Sequence, residues 1–188
     1  MTTRHVAVLV GSLRKDSLNR KVALALAALA APALKLEIIE IGGLPLYNAD
    51  LDHDSPPAAW VEFRHAIKAA DALLFVTPEF NRSVPGALKN AIDVGSRPYG
   101  HSVFGGKPGA VISVTPGALG AFGANHHLRQ SLVFLNVPTM QQPEAYIGGA
   151  GNLFDAEGNL VNEGTRDFLQ KFGAAFATWI ERNLDKPV

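Results

Sequence analysis

The stretch "HVAVLVGSLRKDSLNRKVALALAALAA", residues 5–31, decides the reading of the fold. Val6 to Val10 is an unbroken apolar run ending at Gly11, the pattern of a strand buried on both faces. Residues 18–31 are rich in Ala and Leu and close at Pro32, which reads as a helix. Between them lies "GSLRKDSLNR" (11–20), a polar turn with two serines, an asparagine and one carboxylate.

The alternation continues along the chain. Residues 36–41 read as a second strand, 43–57 as a loop, and 58–70 as a helix with Trp60, Phe63 and Ile67 at helical spacing. "DALLFVT" (71–77) is the strongest strand, stopped by Pro78. Pro85 suits a first helical turn, and "GALKNAIDV" continues it as a short helix. A fourth strand is expected at 110–114, a helix at 119–135 and a fifth strand at 137–141. Residues 148–164 form a turn-rich excursion before a final helix at 165–183. Five strands alternating with helices imply an α/β protein with a parallel sheet covered on both faces. At this length the flavodoxin-like doubly wound order 2-1-3-4-5 fits better than a longer sheet, with residues 1–188 as a single domain.

Composition narrows the function. Lys plus Arg equals Asp plus Glu at 17 each, so no electrostatic case exists for nucleic acid or an anionic membrane as partner. The absence of cysteine excludes disulfides, thiol nucleophiles and Cys-ligated metal sites. No run reads as a signal peptide or a membrane span, and a cytoplasmic protein is expected.

In open α/β sheets ligands sit beyond the carboxyl ends of the strands, so the loops after strands one, three and four matter most. The first is neither a P-loop nor a G-x-G-x-x-G turn. It leads into a helix N-terminus, where free N–H groups and the helix dipole favour an anion. Ser12, Ser17 and Asn19 add donors and Arg14 adds charge. A terminal phosphate fits, and so does a plain Ser17 cap with a solvated Arg14. The second loop, "TPEFNRSVPGALKN" (77–90), offers an aromatic and an amide suited to a planar heteroaromatic ring, or else a turn built on Asn81. The third, "SVTPGALGAFG" (113–123), has small residues that permit close backbone approach or tight helix packing.

At these loops the chain resembles the NAD(P)H-dependent FMN reductase family of flavodoxin-like proteins, in its bacterial quinone and chromate reductase branch. The resemblance rests on "GSLRKDSLNR", "PLYNAD" (45–50), "TPEFNRSVPGALKNAID" (77–93), "GKP" (106–108) and "HLRQSLVFL" (127–135), in family order and across most of the chain. It implies FMN as cofactor, with the phosphate at Ser12, Arg14, Ser17 and Asn19. It implies the isoalloxazine and ribityl chain at Pro78, Glu79, Phe80, Asn81 and Ser83, and the pyrimidine end at Ser113, Thr115 and Gly117. NADPH or NADH would donate hydride and a small-molecule acceptor would take it in a ping-pong cycle. Quinones, flavins, azo or nitro compounds and chromate are the acceptors implied. No protein side chain need act as the catalyst, since the flavin carries the chemistry. The resemblance also implies a homodimer or homotetramer, and "PLYNAD" and 96–106 are candidate contact loops. Rival readings are a flavodoxin-type electron carrier and a flavin-binding sensor, neither turning over NAD(P)H.

Three departures from the family pattern stand out. Phe80 replaces a tyrosine, Val94 a tryptophan, and Ala121-Phe122 interrupts a glycine pair. The last two bear on the substrate side. Other signals are set aside. Asp50, Asp52 and Asp54 lack the glycine and glutamate of a calcium loop, with Ser55 and Val61 in those places. Adjacent His126 and His127 face different ways on a helix. The stripe Phe168, Phe172, Phe176 and Trp179 is core. Lys89 and Arg129 are either solvated or paired at a subunit interface.

Overall fold

The structure is a computed structural model and describes residues 2–184. Its elements are β1 (Arg4–Val10), α1 (Leu18–Ala30), β2 (Leu34–Ile38), α2 (Ala58–Ala69), β3 (Ala72–Thr77), α3 (Gly86–Gly95), β4 (Gly109–Val114), α4 (Phe122–Phe134), β5 (Ala145–Ile147) and α5 (Glu163–Leu184). The five strands pair in the order β2-β1-β3-β4-β5. Every pairing is parallel, with Val6 beside Ala72, Leu74 beside Ala110 and Ile112 beside Ala145.

Strand alternation splits the core between the two faces. Val6, Val8, Val10, Leu74 and Ile112 pack with α1 and α5, where Phe172 and Phe176 are buried. Ala7, Leu9, Leu73, Phe75 and Val111 pack with α2, α3 and α4, around Trp60, Phe63 and Leu128. Each of these large buried side chains contributes about 1.5–3 kcal/mol. The stripe on α5 is therefore core, as its spacing predicts.

Three boundaries differ from the sequence reading. The second strand runs over 34–38 rather than 36–41, although Ile39 N–H still bonds Val8 O at 3.0 Å. The fourth helix begins at Phe122 rather than at 119, because Gly120 and Ala121 take φ of 60° and 57°. The fifth strand is Ala145–Ile147, not 137–141. Segment 137–141 pairs with the sheet through an isolated parallel bridge between Thr139 and Gly109 at the start of β4. Pro138 and Pro143 have no N–H to give a ladder, so pairing resumes only opposite Ile112–Val114.

Long-range side-chain bonds pin the loop between β2 and α2. Asn90 donates to Leu44 O and Pro45 O and accepts from Tyr47 N–H. Trp60 Nε1 donates to Pro45 O at 3.0 Å. Arg64 meets Asp52 with two bonds of 2.8 and 2.7 Å and donates to Val94 O. Within "PLYNAD" Tyr47 is half-buried, its ring 5.3 Å from that of Trp60, and the other five residues are exposed. Val94 is fully buried, so this departure alters packing and not an exposed substrate surface. Among the described residues no helix is long and apolar enough to cross a membrane, and no metal-binding group of His, Cys, Asp and Glu forms.

Candidate functional site

The loops after β1, β3 and β4 emerge at one edge of the sheet, as parallel strands require. Loop one begins at Gly11, whose N–H extends the ladder to Val76 O at 2.9 Å. Ser12 is half-buried, and Arg14 is exposed with no ion-pair partner among the described residues. Ser17 is buried and caps α1, its Oγ accepting the Arg20 N–H at 3.2 Å. The first turn of α1 carries no carboxylate, so its dipole end stays electropositive.

Asn19 is the informative residue of this loop. Its side chain is buried, its Nδ2 reaches Val114 O only at 3.5 Å, and its Oδ1 has no partner. A buried amide oxygen left unsatisfied costs about 1–3 kcal/mol. A ligand hydroxyl would satisfy it. The amide also joins loop one to the end of β4, and so to loop three.

Loop two is a two-residue hairpin. Phe80 and Ser83 exchange both backbone bonds at 3.0 Å, and Asn81 and Arg82 between them take φ of 50° and 64°. That is the positive-φ geometry of a type I′ turn. Backbone makes the turn, so the Asn81 side chain stays exposed and unbonded among the described residues. Phe80 is also exposed. Ser83 Oγ lies 3.0 Å from His127 Nδ1. Pro78 is half-buried and its carbonyl accepts from Thr77 Oγ1.

Glu79 points away from solvent. Its Oε2 accepts the Ala124 N–H at 3.0 Å and its Oε1 accepts from Arg82 Nη1 at 3.2 Å. A Cβ at Gly123 would sit 2.9 Å from both that carboxylate and Arg82 O, so glycine is what lets the two loops close together.

Loop three is held from beneath. Ser113 is fully buried and donates to Gly120 O at 2.6 Å. Asn125 Nδ2 donates to Ser113 Oγ at 3.1 Å, Arg129 Nε donates to Asn125 Oδ1, and Arg129 Nη1 donates to Met140 O. Arg129 is therefore turned inward, whereas Lys89 pairs with Asp93 one helical turn along α3. Thr115 Oγ1 accepts from Gly117 N–H at 3.3 Å, and Gly117 itself is exposed. At Gly120 a Cβ would fall 2.7 Å from Tyr146 Cβ.

The structure thus brings Ser12, Arg14, Ser17, Asn19, Phe80, Asn81, Thr115 and Gly117 to the same sheet edge. It turns the side chains of Glu79 and Ser113 to supporting bonds. Sequence reasoning missed Asn125 and left Arg129 as solvated or at a subunit interface, because the bonds from Arg129 to Asn125 and Met140 O depend on contacts that no local pattern reveals. It also missed an aromatic cluster beside loop three. Phe122 lies 4.2 Å from the His126 ring, and His126 Nε2 is 2.9 Å from Tyr146 Oη, which donates to Glu144. Burial, then the Glu144 carboxylate, pushes the Tyr146 phenol up to about 12.

A five-stranded 2-1-3-4-5 sheet with an electropositive turn after β1, a hairpin after β3 and a small-residue loop after β4 defines a flavodoxin-like protein. The chain belongs to the NADPH-dependent FMN reductase family, whose pattern matches residues 4–152. It is 65% identical over 178 residues to a quinone reductase of Pseudomonas putida, with 95% of each chain covered. It is 50% identical over 175 residues to a 2-hydroxy-1,4-benzoquinone reductase of Burkholderia sp, covering 93% of this chain and 95% of that protein. Among solved structures it matches FerB, a flavoenzyme NAD(P)H:(acceptor) oxidoreductase from Paracoccus denitrificans. There the TM-score is 0.90 and identity 45%, over 96% of this chain and 99% of that one. The protein is an NAD(P)H-dependent flavin oxidoreductase, and the electron-carrier and sensor readings give way to the enzyme.

Proposed function

We propose that this protein is a cytoplasmic quinone reductase that holds FMN across the three loops and uses NADPH or NADH as donor. The buried Asn19 amide carries the placement of the cofactor. Its orphaned oxygen suits a ribityl hydroxyl, and its weakly held Nδ2 suits a phosphate oxygen. Ser12, Ser17 and Arg14 complete the phosphate end at the helix N-terminus. Pro78, Phe80, Asn81 and Ser83 border the ring and ribityl chain, with Thr115 and Gly117 at the pyrimidine end. Glu79 and Ser113 act by positioning their loops.

When bound, FMN supplies hydride chemistry between the reduced pyridine nucleotide and the oxidant. Phe80, exposed at the loop edge, gives an apolar face to planar partners and excludes water from one side of the site. The two substrates use one face in turn, which gives a ping-pong rate law. The names of the Pseudomonas and Burkholderia relatives support quinones as acceptors. Flavins, azo and nitro compounds and chromate form the wider acceptor range of the proposal.

We further read the protein as a homodimer or homotetramer. Val133 and Phe134 are 77% and 73% exposed at the end of α4, and Tyr99 is exposed in the 96–106 loop. Such side chains suit a contact surface.

The test is a flavin spectrum after FMN loading and desalting, followed by NADPH and then benzoquinone. Retained flavin that bleaches and recovers, with parallel double-reciprocal lines in initial rates, supports the proposal. Flavin that NADPH and NADH both fail to bleach overturns it.

A further inference from the structure

Beside loop one, a groove of about 580 Å³ runs between α1 and the turn-rich segment before α5. Its two ends differ in chemistry. The mouth next to loop one is cationic, lined by Lys15, Lys21 and Arg166 against one carboxylate, Glu157. Arg20 also lines it, but its guanidinium is committed to Glu40 by bonds of 2.5 and 2.7 Å. Neither Lys15 nor Lys21 has a carboxylate partner among the described residues. Further along, the floor is apolar. Leu24, Ala25, Ala28 and Leu29 share one face of α1, and Leu24 is 55% exposed.

The opposite wall is built to hold its shape. Asp155 accepts from Asn159 N–H at 2.7 Å and from Asn159 Nδ2 at 3.0 Å, closing the turn. Lys21 Nζ sits 5.9 Å from the centre of the Phe154 ring, and Arg166 donates to Leu160 O. These contacts orient two cations without neutralising them. Ser17, the cap of α1, lines the groove as well, so the cationic mouth adjoins the phosphate end of the flavin site.

We propose that this groove takes the adenosine end of the pyridine nucleotide. Lys15, Lys21 and Arg166 hold the 2′-phosphate of NADPH, and the adenine lies on Leu24 and Ala28. An apolar floor with cations at one end matches a planar base joined to a phosphate dianion. NADH keeps the adenine and lacks the 2′-phosphate, so the groove sets a preference for NADPH. This rests on the reading that the chain oxidises a reduced pyridine nucleotide.

Two measurements on the FMN-loaded protein test it. Steady-state rates with benzoquinone compare the wild type with the triple variant Lys15→Gln, Lys21→Gln, Arg166→Gln. KM for NADPH rises about tenfold, as expected for losing several exposed charge contacts, while KM for NADH and kcat hold. Leu24→Glu, a helix-compatible change, raises KM for both coenzymes. Calorimetric titration with 2′,5′-ADP, 5′-AMP and inorganic phosphate reads the groove without turnover. The expected order is 2′,5′-ADP tightest, weakened by added salt and by the triple variant. The proposal falls if the triple variant shifts both coenzymes alike or neither, or if inorganic phosphate binds as well as 2′,5′-ADP. A wild type that oxidises neither coenzyme defeats the functional reading, and the 2′,5′-ADP titration then decides the groove by itself.

Discussion

Glu79, in the loop after β3, caps a helix it does not belong to: its Oε2 accepts the Ala124 N–H of α4 at 3.0 Å. The residue at the start of α4, Ala121, has no side chain able to cap. Glu79 therefore fastens loop two to loop three. Glu79→Ala removes both the cap and the charge at a helix N-terminus, and stability drops by about 1–2 kcal/mol. FMN affinity falls with it, because the two loops separate. Thermal melts with and without FMN measure both effects, and Glu79→Gln, which keeps an acceptor oxygen, loses less.

Asn19→Leu separates fold from cofactor binding. Its amide oxygen has no partner and its Nδ2 makes only one long bond of 3.5 Å, so replacing it with an apolar side chain of similar shape leaves the flavin-free melting temperature unchanged or raises it. The FMN dissociation constant rises by about tenfold or more, the loss of one or two ligand hydrogen bonds. Fluorescence titration of FMN checks this. A fall in flavin-free stability with unchanged FMN affinity would show Asn19 to be structural.

Ala121 occupies the left-handed region at φ 57°, which costs an L-residue about 1–2 kcal/mol. Ala121→Gly relieves that strain against a smaller loss of chain entropy, so stability rises by about 0.5–1 kcal/mol. Gly120→Ala goes the other way, since its Cβ would meet Tyr146 Cβ at 2.7 Å and φ is 60°. Paired urea melts distinguish the two neighbours.

Asp52 sets an acid limit to stability. The Arg64 guanidinium bonded to it holds its carboxyl below the usual carboxylate range, and its side chain is only 4% exposed. A carboxylate depressed in the fold adds stability that is complete above its unfolded value, near about pH 4, and is lost as pH falls through the folded value. Urea melts between neutral pH and pH 3 show a steep acid limb. Asp52→Asn lowers stability at neutral pH by about 3 kcal/mol, because Arg64 is left without its partner charge, and flattens that limb.

The sheet was legible along the chain because each interior strand needs only its own residues. Val6 to Val10 and "DALLFVT" bury both faces wherever they lie, so an apolar run marks them. The edge strand was not legible. Ala145–Ile147 is too short for its own pattern to mark it, and it is a strand because β4 offers it three residues of ladder.

The loops divide the same way. Ser17 as a helix cap, and the anion-favouring turn around it, follow from residue type and position alone. Asn19 owes its orphaned oxygen to β4, which arrives beside it from 95 residues away. The sequence by itself determined the alternation, the strand order and the edge at which the three candidate loops gather, since hydrophobic period and chain chirality act locally. The tertiary structure alone decided where each polar side chain spends its hydrogen bonds. Glu79 and Ser113 turn inward to other loops, and Arg129 turns to Asn125, because a buried polar group takes whatever partner the fold brings within reach.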